Sequence, residues 1–135
     1  ARETLGPAVA DGLRYQVLQN DELTQYDVPI DAFDGTILAR KDIGTSYHLA
    51  SVHDDDAAGV THIIRGEDLA DAAPLHRLLY ALFDLRAPVY QHHRLITNES
   101  GKRLAKRDQD MTLRQLRTNG ATRDDILQMV GLPIF

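Results

Sequence analysis

A strand–helix–strand pattern in the middle of the chain constrains the fold most. Residues 60–64 (VTHII) are rich in β-branched side chains and lie between two glycines, which predicts a strand. Leucines at helical spacing predict an amphipathic helix over residues 72–83, and residues 89–97, after a proline, predict a second strand. Two strands joined by one helix indicate a parallel pair with a right-handed crossover.

The flanking segments predict further helices. Downstream, Thr112 and Thr122 are N-cap residues of two short helices, which end near Gly120 and Gly131. Upstream, residues 45–57 predict a strand end that runs into a helix, and residues 36–40 (TILAR) predict a short strand. Residues 1–31 contain many turn residues and predict at most one short helix within 7–17, with loop elsewhere.

These elements predict an α/β fold. The expected architecture is a partial doubly wound, Rossmann-type parallel sheet followed by a C-terminal helical pair. Sheets of this kind bind their ligands at the carboxyl ends of the strands. Residues that directly follow the predicted strands are therefore the first candidates for a binding site.

Composition excludes several classes of protein. The chain has 135 residues, a formal net charge of −5 and no cysteine, which excludes disulfides and thiolate metal sites. The acidic balance argues against a protein that coats nucleic acid with its whole surface. No apolar run matches a bilayer span and no signal-peptide pattern is present, so we expect a cytoplasmic protein without a membrane partner.

Arg65 and Tyr47 are candidate ligand-binding residues. Arg65 directly follows a predicted strand, and its planar guanidinium suits a carboxylate or a phosphate. It could equally pair with Glu67 or Asp68 as part of the scaffold. The hydroxyl of Tyr47 could orient a small ligand, although a tyrosine packed in the core is the default interpretation.

Acidic and imidazole side chains do not predict a metal site. Asp54, Asp55 and Asp56 are adjacent, lack the spacing of a calcium loop, and indicate a solvated or capping helix segment. The six histidines form no HExxH pair, and His92 and His93 would face opposite sides of a strand. We therefore expect no metal ligands and no zinc in this chain.

A basic segment, GKRLAKRD at residues 101–108, lies between the last predicted strand and the helical pair. Its lysines could reach over phosphates near the strand ends, where a compact ammonium suits a triphosphate. The alternative is a solvated basic turn that Asp108 and Asp110 neutralise, and the pattern alone slightly favours it.

Three segments together resemble one family. GTSYHLASVHDDDAAGVTHIIRGEDL, PLHRLLYALFDLRAPVYQHHRLIT and GKRLAKRD, in this order, resemble the second half of a class I glutamyl-tRNA synthetase catalytic domain. The likeness covers residues 34–118. It is nearest to the short glutamyl-queuosine tRNA(Asp) synthetases, because of RLAKRD and the stop soon after the final helix.

The resemblance implies roles for particular residues. Arg103, Leu104, Ala105, Lys106 and Arg107 correspond to the KMSKS loop that binds ATP, which is a substrate and is expected with magnesium. Lys106 would be catalytic, since it matches the lysine that stabilises charge as pyrophosphate leaves. Arg103 replaces the first lysine of the motif and Ala105 replaces its serine.

Further implied roles concern the amino-acid substrate. Tyr47 and Arg65 fall where the family binds glutamate, with Arg65 on the side-chain carboxylate.

Departures from the family pattern indicate a partial domain. The sequence contains no HIGH-type motif, no identifiable N-terminal arginine and acidic residue of the glutamate site, and no zinc-binding cysteines. The chain begins with alanine. We therefore expect residues 1–33 to be the tail of a connecting insertion, 34–100 the second half of the Rossmann-type domain, and 101–135 the KMSKS-like loop and C-terminal helices.

Three hypotheses about function follow. The leading one is a fragment of a glutamyl-queuosine tRNA(Asp) synthetase that is inactive alone, with glutamate, ATP and a tRNA, preferably tRNA(Asp), as partners. The second is a trimmed ordinary glutamyl-tRNA synthetase catalytic domain. The third is a non-catalytic module that binds tRNA or a protein. A missing N-terminal half of the catalytic domain would leave a sheet edge bare, so self-association through that edge is also expected.

Overall fold

The computed structural model describes residues 1–98, 101, 103–104 and 112–134, with the side chains of residues 2 and 8 set aside. The chain divides into two compact units, residues 1–94 and residues 95–135. No helix of the described residues is long and apolar enough to span a membrane.

The predicted strand–helix–strand unit is confirmed in the first unit. Strand β3 (His62–Gly66) is joined to strand β4 (Val89–His93) by helix α4 (Ala73–Leu82), which a 3₁₀ turn, Glu67–Ala72, precedes. The two strands are parallel, with His62 opposite Val89 and Gly66 opposite His93. The first strand lies two residues later than predicted, and the second ends at His93 instead of residue 97.

An antiparallel hairpin extends this sheet. Strands β1 (Arg14–Gln19) and β2 (Glu22–Asp27) pair with each other, and β1 also pairs with β4 in parallel. The order β2-β1-β4-β3 makes the sheet mixed, with the α/β class as predicted. Between β1 and β2, Asn20 and Asp21 have φ values of 50° and 62°, which suits the mirror-image turns that tight hairpins prefer.

Two predictions for the N-terminal third are wrong. The one short helix expected within residues 7–17 is α2 (Pro7–Asp11), but the remainder, expected to be loop, contains the hairpin and a further short helix, α1 (Arg2–Leu5). The pattern hid β2 because all six of its residues are exposed, so its sequence lacks the apolar alternation of a half-buried strand. The predicted strand at residues 36–40 is neither strand nor helix, since its apolar residues have no partner strand.

Helix α3 (Tyr47–Ala57) confirms the predicted helix in this region, without a strand end before it. The hydroxyl of Ser46 accepts a hydrogen bond from the backbone N–H of Leu49, and Gly59, with a φ of 67°, follows the helix end. A 3₁₀ turn (Ile30–Phe33) stands between β2 and α3.

The core of the first unit lies on both sides of α4. Leu78 packs with residues from the N-terminal segments, in the cluster Ala10, Leu13, Val28, Ile30 and Leu78. Leu79 and Tyr80 pack with Val52 of α3. Helix α4 therefore packs against both α3 and the N-terminal segments.

The second unit contains the predicted helical pair. Helices α5 (Leu113–Thr118) and α6 (Arg123–Met129) are each capped by the predicted threonine, Thr112 and Thr122. Both caps are capping boxes. The side chain of the residue three positions on, Gln115 or Asp125, accepts a hydrogen bond from the backbone N–H of the capping threonine. The hydrogen bond from Thr122 lowers the pKa of Asp125.

Candidate active site

Arg65 is a buried cation at the carboxyl end of strand β3. The side chains of β3 alternate between the two faces, with Ile64 exposed and Arg65 only 9% exposed. Because β3 and β4 are parallel and in register, Arg65 lies directly opposite His92. An inward-facing arginine at this end of a strand is placed where α/β sheets bind their ligands.

Aromatic rings surround the guanidinium group. Its Nη1 lies 3.4 Å from Nδ1 of His76, and its Nε lies 3.5 Å from Nε2 of His92. Its Cζ is 5.2 Å from the centre of the Tyr90 ring, within the range of a cation–π contact. The rings of Tyr90 and His92 are parallel, at 1° and 6.3 Å. Three rings thus contact Arg65, and none of them carries a negative charge at neutral pH.

No carboxylate neutralises Arg65 in the part of the chain that the structure describes. The ion pairs there involve other arginines, Arg14, Arg40 and Arg123, and one histidine. The hydrogen bonds of Arg65 go to histidine rings and not to Glu67 or Asp68. Its Nη2 is buried and has no hydrogen-bond partner among these residues. A buried charge without a counter-charge is costly, and such arrangements are typical of binding sites.

His76 connects this group to helix α3. It is fully buried on α4, and its Nε2 lies 3.0 Å from Nδ1 of His48. An arginine can only donate, so Nδ1 of His76 accepts from Arg65 and the single proton of the neutral ring sits on Nε2. That proton is donated to Nδ1 of His48. The hydrogen bonds therefore run in one direction, with Arg65 donating to His76 and His76 donating to His48.

Burial and the charge of Arg65 keep these rings neutral. Burial is the main reason why the pKa of His76 falls to about 4, followed by the positive charge of Arg65 and the neighbouring His48. The pKa of His92 is also lowered, by burial first and then by Arg65 and His93. At neutral pH both rings can accept a hydrogen bond, and neither repels the guanidinium as a second cation.

Tyr47 lies at the same place as Arg65. It is the first residue of α3 and is 52% exposed, so it is not the core tyrosine of the default interpretation. Its ring centre is 5.7 Å from that of His76 and 5.4 Å from that of His48. The structure therefore brings the two predicted glutamate-binding residues against one shared neighbour, His76.

Tyr90 adds a second buried polar atom without a partner. Its hydroxyl has no hydrogen-bond partner among the described residues, and burial raises the pKa of this phenol well above its usual value. This hydroxyl and Nη2 of Arg65 belong to two side chains in mutual contact.

The predicted ATP-binding residues fall in the second unit and are described only in part. Arg103 forms an isolated β-bridge with Thr97, and the backbone N–H of Leu104 donates to the carbonyl of Ile96 at 3.0 Å. Ala105, Lys106 and Arg107 lie outside the described residues. The assignment of this loop to ATP stays a prediction.

Two other features do not include Arg65. Asp54 and Asp56 are exposed on α3, while Asp55 accepts a hydrogen bond from Ser51. In the described part of the chain no group of three or more potential ligands could hold a metal ion. An apolar cleft of about 660 Å³ includes neither Arg65 nor Tyr47; it is lined by Thr45, Leu49, Ala50, His53, Asp54, Asp56, Ala57, Phe83 and Leu85.

Comparison with known families identifies the chain. Residues 9–133 match the family model of the catalytic domain of class I tRNA synthetases (E and Q). This chain belongs to that family. The match covers the hairpin, the strand–helix–strand unit and the helical pair, and therefore both compact units.

Relatives in the family carry two different names. The chain is 50% identical over 103 residues to a glutamyl-Q tRNA(Asp) synthetase from Rhodobacter capsulatus, covering 76% of this chain and 37% of that protein. It is 32% identical over 117 residues to a glutamate–tRNA ligase from Chloroherpeton thalassium, covering 85% and 23%. The chain thus spans well under half of the length of these relatives.

A solved structure agrees with the fold. A glutamate–tRNA ligase from Elizabethkingia meningosepticum, in complex with its amino acid, matches with a TM-score of 0.57 and 32% identity. The match covers 72% of this chain and 19% of that chain.

The lowered pKa of His76 predicts a pH dependence of the stability of this chain. Unfolded, His76 takes up a proton near pH 6.5, whereas the folded chain resists protonation until about pH 4. The free energy of unfolding therefore falls as the pH drops through this window, by up to about 3 kcal/mol from this residue alone. Denaturant unfolding of the wild type and of His76→Gln at several pH values measures this.

The His76→Gln variant keeps every other titrating group of the wild type. It therefore serves as the control for their contribution to the pH dependence of stability. We expect the wild type to lose stability more steeply than His76→Gln as the pH falls. Parallel curves for the two proteins would contradict a buried, neutral His76.

Proposed function

We propose that the chain carries the glutamate-binding part of a glutamyl-queuosine tRNA(Asp) synthetase, which activates glutamate with ATP and transfers it to queuosine in tRNA(Asp). The observation that carries this proposal is Arg65. Its guanidinium is nine-tenths buried at the carboxyl end of β3 and has no carboxylate partner among the described residues. A substrate carboxylate would supply the missing negative charge.

Side-chain chemistry favours glutamate over its neutral relatives. Nη2 of Arg65, which has no partner among the described residues, can donate charged hydrogen bonds to a carboxylate, whereas a carboxamide offers only one neutral acceptor. Tyr47 is half exposed next to His76 and can contact the remainder of a small substrate. The proposed roles are Arg65 for the side-chain carboxylate of glutamate and Tyr47 for its orientation.

Activation requires a second substrate, ATP, with its magnesium. A carboxylate oxygen of glutamate attacks the α-phosphorus, and the bond from that phosphorus to pyrophosphate breaks. In this proposal Arg103, Leu104, Ala105, Lys106 and Arg107 hold the triphosphate, and Lys106 neutralises charge on the departing pyrophosphate. Binding of tRNA and action in the cytoplasm belong to the same proposal.

Similarity supports tRNA(Asp) as the acceptor. The relatives from Rhodobacter capsulatus and Nocardia farcinica, 50% and 38% identical, are both named glutamyl-Q tRNA(Asp) synthetases. The second candidate is an ordinary glutamate–tRNA ligase, which the 36% identity to a yeast mitochondrial glutamate–tRNA ligase favours. Both candidates use the same amino acid, so the site around Arg65 fits either.

Strand β3 is a candidate for contact with further protein. In the described sheet β3 pairs on one side only, and Ile64 on its outer face is 67% exposed. We propose that this edge pairs with the first half of such a catalytic domain, or with a second copy of the chain when that half is absent.

Replacing Arg65 tests the glutamate site directly. Arg65→Gln removes the charge, so we expect at least about a tenfold loss of glutamate affinity, with affinity for glutamine little changed. Titration of the chain with each amino acid, followed by NMR in the millimolar range, measures this. The matched control is Arg14→Gln, an exposed arginine paired with Asp27, which should bind as the wild type does. Equal affinity of the Arg65 variant for glutamate would refute the proposed role.

The chain by itself should not activate glutamate. ATP would lack the contacts that a HIGH-type motif provides in the family, and this sequence has no such motif. We therefore expect no glutamate-dependent exchange of pyrophosphate into ATP. Robust exchange that Lys106→Ala abolishes would show that the chain binds ATP competently without that motif.

The acceptor is tested with the protein isolated from its source cells. We expect radiolabelled glutamate to be transferred to tRNA(Asp) that contains queuosine, and not to tRNA(Asp) that lacks it or to tRNA(Glu). Transfer to tRNA(Glu) alone would select the ordinary glutamate–tRNA ligase instead.

A further inference from the structure

The immediate surroundings of Arg65 contain neutral hydrogen-bond acceptors where a buried arginine usually has carboxylates. Charged side chains are almost never fully buried unless they are paired. Here the two acceptors are ring nitrogens of His76 and His92, and Cζ of the guanidinium lies over the Tyr90 ring. This arrangement orients the group without cancelling its charge.

His76 is the most firmly held of these neighbours. It has no exposed surface, it lies on the helix that packs against both core clusters, and its other nitrogen is 3.0 Å from His48. His92, in contrast, is partly exposed near the end of β4. The contact from Nη1 of Arg65 to His76, at 3.4 Å, is longer than an ion pair with a carboxylate. It therefore orients the guanidinium of Arg65 without neutralising its positive charge.

We propose that His76 is a positioning residue for the proposed glutamate site, holding the Arg65 guanidinium as a neutral acceptor so that its charge remains available to a substrate carboxylate. His48 completes the arrangement by accepting the proton of His76 and thereby fixing its tautomer. This inference rests on the proposed function and adds the reason why an imidazole, and not a carboxylate, stands behind Arg65.

Several other groups face His76. They are the guanidinium of Arg65 from β3 and the side chains of Tyr47 and His48 from α3. All but Arg65 are uncharged in the arrangement proposed here. A negative charge at position 76 would therefore pair with Arg65 and compete with the substrate for it.

Two isosteric variants separate positioning from packing. His76→Asn places a neutral oxygen near the former Nδ1, whereas His76→Asp places an anionic oxygen there. We expect His76→Asn to bind glutamate within about threefold of the wild type. We expect His76→Asp to lose about tenfold or more, since its carboxylate competes with that of glutamate for charged hydrogen bonds from Arg65. NMR titrations of the chain with glutamate and with glutamine measure both affinities.

A structural role alone would affect the two variants equally, because they have the same size. Equal glutamate affinity of folded His76→Asn and His76→Asp would overturn the inference, whether both bind or both fail. Amide NMR spectra of the two variants show whether each is folded. If one of them is unfolded, the ring-nitrogen measurement on the wild type, described next, decides instead.

Ring-nitrogen NMR of the wild type tests the arrangement without any ligand. We expect the neutral Nε2–H tautomer of His76 at pH 7, with Nδ1 free of a proton. A proton on Nδ1 would overturn the inference even if glutamate binds. If the tautomer is as expected but the wild type does not distinguish glutamate from glutamine, the proposed function fails, and the positioning role for glutamate fails with it.

Discussion

The parallel pairing of β3 with β4 is the interaction on which the rest of the first unit depends. It sets Arg65 opposite His92 and Ile63 opposite Tyr90, so that one face at the end of the sheet carries the arginine and its rings. The crossover helix α4 then covers this face and brings His76 to the guanidinium. Helix α3 packs on α4 and adds His48 and Tyr47. The site follows from these contacts, because α4 adds one side chain to the face of the sheet and α3 adds two more.

The electrostatics of the site oppose stability. A guanidinium without a counter-charge raises the free energy of the folded chain by an amount that a nearby carboxylate would offset. The chain instead surrounds Arg65 with neutral rings. Burial first, and then the charge of Arg65, lowers the pKa of His76 and of His92. Local departures from the most stable arrangement are expected where a protein binds a ligand. The described residues thus leave this cation without a counter-charge.

Local signals predicted some elements well and others poorly. The strand–helix–strand unit and the threonine caps of α5 and α6 carry strong local patterns, and the structure confirms them. Strand β2 has no buried face, so its stability comes from pairing with β1, which no local pattern reports. Residues 36–40 have strand propensity without a partner strand, and propensity alone did not make a strand.

The candidate site was predictable for Arg65 and Tyr47 but not for its histidines. Arg65 directly follows the strand that the sequence predicts at residues 60–64, and family resemblance adds Tyr47. His76 was considered only as a metal ligand, yet it lies among Leu75, Leu78 and Leu79 on the apolar stripe of α4. A polar residue on such a stripe is the signal that could have indicated a buried partner. Which group His76 contacts depends on the register between the strands of the sheet. The sequence of helix α4 alone does not contain that register.

The most direct test of the central claim is a crystal structure of the chain with glutamate bound. The account predicts that the side-chain carboxylate of glutamate lies within hydrogen-bonding distance of Arg65, on its Nη2, while His76 and His92 keep their contacts with the guanidinium. Glutamate bound elsewhere, or Arg65 paired with a carboxylate of the protein itself, would contradict it.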